Sequence, residues 1–324
     1  MNTSRVSVRL SVIRSREAGT AAGLLLLCLA LWIASPFFAT LDNLRNVAEQ
    51  SALIGIIAIG MTFVILIGGI DLSVGSLVAL TGVVLALALH NNVPVPLAIG
   101  VGVAAGVAGG VVNGVLVTAG RLPPFIATLG MMSVARGAAL LLSDGRPVSG
   151  FSDTFRGMAT GRLAGIPLPV VAMLALYAIA HVVLTRTVLG RYTYAIGGNE
   201  EASALSGIAV GRYKIIAYAL SGASAACCAT LLVARLNSAQ PIAGIGYELD
   251  AIAAVVIGGT SLLGGSGSVM GTLIGALIMS VLRNGLNLLG VTSYVQQIAI
   301  GVVIVTAVLV DLALHRRAQR HPVS

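Results

Sequence analysis

With 324 residues, 57% of them hydrophobic and only 9% charged, and a mean hydropathy of +1.00, the chain is far too apolar for a soluble domain, which carries about 25% charged residues. Its net charge of +8 is not a nucleic-acid footprint, because the basic residues gather at the ends of apolar runs, where membrane topology accounts for them. Cys28, Cys227 and Cys228 lie in apolar runs with neither metal-ligand spacing nor a disulfide framework, so they read as small packing residues, and no metal or cofactor is expected within the chain.

Arg5, Arg9, Arg14 and Arg16 precede an apolar run from about Ala18 to Ala34. The pattern is similar to a signal peptide, but the charged region is long and no A-x-A cleavage site follows, so it reads as an uncleaved first span. A hydrophobic crossing needs about 20 residues. Ten candidate spans result, at 20–39, 50–69, 74–90, 94–119, 125–142, 166–185, 214–235, 249–264, 268–289 and 293–311. The fourth is long enough to tilt, and the third and eighth are short enough to be broken or re-entrant. The expected class is an all-α polytopic membrane protein of about ten helices, organised as a single transmembrane domain over 1–324.

With the N-terminus inside, Arg5, Arg9, Arg14, Arg16, Arg121, Arg186, Arg191, Arg212, Lys214, Arg316, Arg317 and Arg320 fall on the cytoplasmic side. Arg45, Arg146, Arg156, Arg162 and Arg235 fall outside, a split of 12 to 5 that satisfies the positive-inside rule. The expectation is therefore a cytoplasmic tail at 1–19, a cytoplasmic loop at 186–214 and a cytoplasmic tail at 312–324, with both termini inside. The only sizeable outer loop is Ser143 to Pro167, rich in turn residues.

A parallel repeat links Ile67–Ser76 with Ile257–Ser266, which match at six of ten positions without a gap. Each copy follows one apolar run and precedes another, as expected of helix interruptions beside a transport pathway. Asp71, in the first copy, either shapes the broken helix that starts at Ser73 or sits just outside the hydrocarbon. Gly75 and Ser76 complete that break.

The 186–214 loop spells a short helix. Asn199 is a good N-cap, Glu200 and Glu201 suit the positive end of the helix dipole, and Gly207 supplies a stop. Two turns are too few to hold in water alone, since isolated helices below about 12 residues are marginal, so the segment is expected to dock on a soluble partner. In the ninth span, Arg283 and Asn287 share a helix face beside Asn284, while Glu248 and Asp250 open the eighth span on the same side. The group reads either as a polar mouth suited to a neutral hydroxylated solute or as an ion pair between spans. Arg136 is a lone arginine whose partner the sequence does not reveal, and His181 has no acid in its span to make a proton relay.

Catalysis is not expected. Gly264–Gly267 matches a GxSG pattern, but no histidine base is placed within reach of Ser266. The sole lysine, Lys214, precedes Ile215, so there is no P-loop, and any ATP-driven work would have to be done by another subunit. An ion-coupled secondary transporter would need intramembrane acids, for which Asp71 is the one candidate.

Four segments carry a resemblance: GIDLSVGS (Gly69–Ser76), LGRYTYAIGGNEEASALSGI (Leu189–Ile208), SAQPIAGIGYELDAIAAVVIGGTSLLGG (Ser238–Gly265) and GTLIGALI with NGLNLLGV (Gly271–Val291). Together they resemble the permease subunit of ribose-type ATP-binding-cassette importers, over roughly Ser35 to Asp311. The resemblance implies a homodimer in the bacterial inner membrane. A cytoplasmic ATPase that binds ATP and Mg would drive it, and a periplasmic sugar-binding protein would deliver a monosaccharide. Carried over residue by residue, it also implies that Asn199, Glu200, Ala202, Leu205, Ser206 and Gly207 contact the ATPase.

Overall fold

A computed structural model of the chain describes residues 3–320, with side-chain surroundings for 17–309; the arginines expected to mark the two tails, Arg5 to Arg16 and Arg316 to Arg320, lie outside the latter range. The helices in the first half are α1 (Thr3–Ala34), α2 (Leu41–Leu66), α3 (Val74–His90), α4 (Val95–Thr118), α5 (Pro124–Leu142), α6 (Asp153–Thr160) and α7 (Leu168–Arg186). They continue as α8 (Val188–Gly198), α9 (Glu200–Leu205), α10 (Val210–Leu236), α11 (Tyr247–Ile257), α12 (Val269–Leu288) and α13 (Ser293–Arg320). Two small antiparallel ribbons complete the described residues. β1 (Val148–Ser149) pairs with β4 (Ser238–Ala239), and β2 (Arg162–Leu163) pairs with β3 (Ile166–Pro167).

Seven of these helices are long and apolar enough to cross a membrane: α1 from Glu17, α2, α4, α5, α7, α10 and α12. Two shorter apolar stretches lie at Val74–His90 and Ser293–Leu309. Several expected boundaries move. The first span stops at Ala34 instead of 39, where Ser35 and Pro36 break the helix. The second helix starts at Leu41, nine residues early, because Thr40 caps it and the polar stretch Asn43–Gln50 is helical despite its low hydropathy. The eighth span ends at Ile257 instead of 264. Gly258 and Gly259 close α11 with Gly259 at φ +88, and its 11 residues reach only about 16 Å, half of a bilayer core of about 30 Å.

The core centres on α2, which is buried at every position from Ser51 to Leu66. A helix that is apolar on all sides belongs in the interior, and α7, α10, α11 and α12 surround it. Glycine allows the tightest contact, between α4 and α10. A Cβ on Gly106 would meet the Gly222 carbonyl at 2.4 Å, one on Gly110 the Tyr218 carbonyl at 2.1 Å, and one on Gly114 the Ile215 Cα at 2.6 Å. These partners run in opposite directions, so the two helices are antiparallel. The small residues recur every fourth position, the spacing that lets membrane helices approach backbone to backbone.

The expected outer loop at 143–167 is built, not bare. Ser152 caps α6, Phe155 is fully buried against Phe151 edge to face at 5.5 Å, and Ala164 and Gly165, both at positive φ, turn the β2–β3 hairpin. This loop sits at the end of the molecule opposite α9, because α7 runs between them.

Candidate functional site

At one end, α8 and α9 form a compact cap. The Asn199 side chain accepts from the Ala202 N–H at 2.9 Å, and Gly207 at φ +82 ends the turn. Of α9 only Ser203 is buried, while Leu205 stands 85% exposed. Glu200 is exposed but tethered. Its two carboxylate oxygens accept from Lys214 Nζ at 2.6 and 2.7 Å, which ties α9 to the start of α10. Tyr192 and Tyr213 brace the same corner edge to face at 4.9 Å. Six expected contact residues, Asn199, Glu200, Ala202, Leu205, Ser206 and Gly207, therefore lie on one small projection.

The cap bears directly on both glycine-rich breaks. A Cβ on Gly197 would lie 1.8 Å from the Leu66 carbonyl and 2.4 Å from the Gly265 amide. The same Leu66 carbonyl accepts from Gly265 N–H at 2.9 Å, and Tyr194 donates to the Gly267 carbonyl at 2.9 Å. Burial, with the Glu17 charge nearby, pushes the Tyr194 phenol up to about 12, so it remains a donor at any physiological pH. Behind the cap a cavity of about 410 Å³ is walled by Gly68, Gly198, Glu200, Lys214, Tyr218 and Leu263 among others.

The two breaks share one turn. Gly68 N–H bonds to Ile65 O and Gly69 N–H to Val64 O; Gly259 N–H bonds to Val256 O and Thr260 N–H to Val255 O. Both are helix ends closed by a left-handed glycine. Their structural register pairs Gly68 with Gly259, one residue away from the ungapped sequence alignment, which paired Gly68 with Gly258.

Asp71 is fully buried and organises the start of α3. Its Oδ1 accepts from the Ser73 N–H and hydroxyl at 3.0 and 2.6 Å, and its Oδ2 accepts from the Ser221 hydroxyl of α10 at 2.8 Å. Asn113 of α4 donates to the Ser73 Oγ at 2.8 Å. Asp71 is thus buried and tied to the residues that open the broken helix. One turn on, Ser76 is buried, and Gly75 presses on the loop before α11, where a Cβ would meet Gly244 O at 2.2 Å and Glu248 Oε2 at 2.4 Å.

The remaining polar residues separate. Arg283 Nη2 contacts both carboxylate oxygens of Asp250 at 2.7 Å, so the expected acid on the neighbouring helix is found. Asn284 exchanges amide bonds with Asn43 of α2, and Asn287 accepts from Gln296 of α13. Glu248 lies outside this pair: its Oε1 accepts from the Gly246 N–H at 3.3 Å and its Oε2 faces Gly75. The group read as one mouth is thus two places joined by α11. Asn113, Ser221 and the Lys214 partner of Glu200 escaped the sequence reading, although polar residues such as Asn and Ser within apolar spans are the kind that mark such contacts.

The family model described as "Branched-chain amino acid transport system / permease component" matches residues 43–308. Among curated proteins, the chain is 50% identical to the ribose import permease protein of Escherichia coli (strain K12) and 49% identical to that of Haemophilus influenzae, over 91% of this chain and 93% of each relative. The ribose import permease protein of Bacillus subtilis is 49% identical over 91% of this chain and 92% of its own length. No solved structure matches the chain.

Proposed function

Because the chain belongs to the permease family of ATP-binding-cassette importers that its family match and ribose-importing relatives define, we propose that it carries ribose from periplasm to cytoplasm, driven by a separate ATPase. It is a multi-pass membrane permease, and the ion-coupled alternative has no observation in its favour.

The finer reading builds on that. The chain forms a single membrane domain crossing ten times, with α3, α11 and α13 supplying the crossings beyond the seven long helices and with both termini in the cytoplasm. Two copies pair, a cytoplasmic ATPase binds ATP and Mg, and a periplasmic binding protein delivers the sugar. The observation that carries the mechanism is the contact of α8, which leads directly into α9, with both glycine-rich segments, through Gly197 on Leu66 and Tyr194 on Gly267. Closure of the ATPase halves moves α9, and this bracing passes the movement to the end of α2 and to the glycine-rich link between α11 and α12. The pathway then opens outward, and hydrolysis resets it. Such coupling is a free energy, so α9 meets different ATPase surfaces in the two states.

The test is reconstitution in liposomes with the ATPase, the binding protein and radiolabelled ribose. Uptake that requires all three proteins and ATP is the expected result. Uptake by this chain alone, driven by an ion gradient, would overturn the reading.

A further inference from the structure

We propose that Arg136 and Glu248 form a sugar-contacting pair of the translocation pathway, on a face of this chain that a second copy completes. The proposal rests on the permease reading above and names residues within its pathway.

Arg136 is placed well inside the hydrocarbon, about 18 Å along α5 from Pro124. Its Nη1 donates to the Pro241 and Ala243 carbonyls, both at 2.8 Å, on the irregular loop that leads into α11. Arg136 and Glu248 thus hold the same loop, since Glu248, the second residue of α11, accepts from the Gly246 N–H at 3.3 Å. They do not close into an ion pair, whereas Arg283 and Asp250 close theirs at 2.7 Å on the other side of α11. Arg136 keeps donors to spare, since a guanidinium has five N–H groups. Both side chains are only half-buried, and Ile242, Ile245 and Leu249 around them are exposed.

A half-exposed arginine and glutamate at that depth are not left facing acyl chains; such groups face a partner or a water-filled space. The cavity behind the cap does not serve, because it lies at the α9 end. The water must therefore run along the outside of this chain, and another protein surface must wall it from lipid. A second copy related by a two-fold axis along the membrane normal supplies that wall with the same residues. The neighbouring face of α5 admits a close approach, since Gly130 and Gly137 have nothing within 4 Å of where a Cβ would be, and Ser133 between them is exposed. Across such an axis Arg136 and Glu248 each occur twice, giving donors and acceptors without net charge. That composition suits a neutral polyhydroxylated solute and offers an ion as much repulsion as attraction.

The experiment uses the full chain, expressed in membranes with the ATPase and binding protein, with Cys28, Cys227 and Cys228 replaced. Ser133→Cys and Gly137→Cys should react with a membrane-impermeant thiol reagent and oxidise to a disulfide-linked dimer. Ile179→Cys on the exposed face of α7 should do neither. Failure of both α5 cysteines to react and cross-link overturns the proposal. Glu248→Gln, which keeps the shape, should lower ribose uptake about tenfold or more while the ATPase still co-purifies. Unchanged uptake also overturns the proposal. Uptake by the unsubstituted protein without its ATPase would instead sink the permease reading, a failure visible before any variant is made.

Discussion

Leu205 presents its side chain to water on a six-residue helix that holds on to the rest of the molecule through Asn199, Glu200 and one buried serine. An apolar tip so exposed reads as a contact surface kept for a partner, and its two neighbours in function differ in kind. Leu205→Asp should leave membrane insertion intact and abolish recovery of the ATPase with the permease. Glu200→Gln should act indirectly, by freeing α9 from Lys214. Because the carboxylate is half-exposed, the ion pair contributes at most about 1 kcal/mol, so melting should barely move while ribose-coupled ATP hydrolysis falls. The caps of α9 were legible in the sequence, since they are local. The ion pair was not, because Glu200 and Lys214 are 14 residues apart and only the fold brings them together. Asp71 shows the same divide. Its position beside a glycine break was readable, but its hydrogen bond to Ser221 spans 150 residues. Asp71→Ala should strand the Ser73 and Ser221 donors and cost about 1–3 kcal/mol for each group left unmet, read as a lower melting temperature in detergent. Asp71→Asn, which keeps an acceptor oxygen, should lose less.

Among the elements, the α4–α10 pair shows how a signal can be present and still be drowned. Gly102, Gly106, Gly110 and Gly114 repeat every fourth residue, but in a chain with 40 glycines such spacing has little contrast. Packing gives it meaning, since three of the four meet α10 at distances no side chain allows. Gly110→Leu should force the helices apart and cost upwards of about 1–3 kcal/mol, seen as loss of monodisperse protein on size exclusion. Gly100→Leu, where nothing lies within 4 Å, should be tolerated. The repeat was found in the sequence but set one residue off, because an ungapped match scores identities while the structure aligns the left-handed glycines, Gly68 and Gly259. The short α11 was also blurred, since hydropathy runs through Gly258 and Gly259 without noticing that the backbone turns there. The contact of α8 with the end of α2 has its own consequence. Gly197→Ala would push on the Leu66 carbonyl, where a Cβ has 1.8 Å of room. The expected phenotype is a permease that still binds its ATPase through α9 but imports little ribose. ATPase loss together with uptake would mean that Gly197 acts on α9 itself and does not relay its movement.

At the scale of the molecule, the decisive quantity is which end faces which side, because the whole cycle assumes a motor under α9 and a delivery protein over α6. The fold separates these two elements by the length of α7, 19 residues or about 28 Å, close to a bilayer core. The proposed orientation puts the α9 end in the cytoplasm, which the positive-inside rule supports through Arg186, Arg191, Arg212 and Lys214 beside it. The α6 loop carries Arg146, Arg156 and Arg162, but Asp144 and Asp153 accompany them, and Arg156 is paired with Asp153 at 3.1 Å. Single cysteines at Asp153 and Ala204, both exposed, turn this into a measurement. In intact cells an impermeant thiol reagent should label Asp153→Cys and spare Ala204→Cys; in inverted vesicles the order should reverse. Labelling of both from one side would mean that α7 does not cross. Labelling of Ala204→Cys from outside would place the ATPase contact in the periplasm, where no ATP is available to drive it.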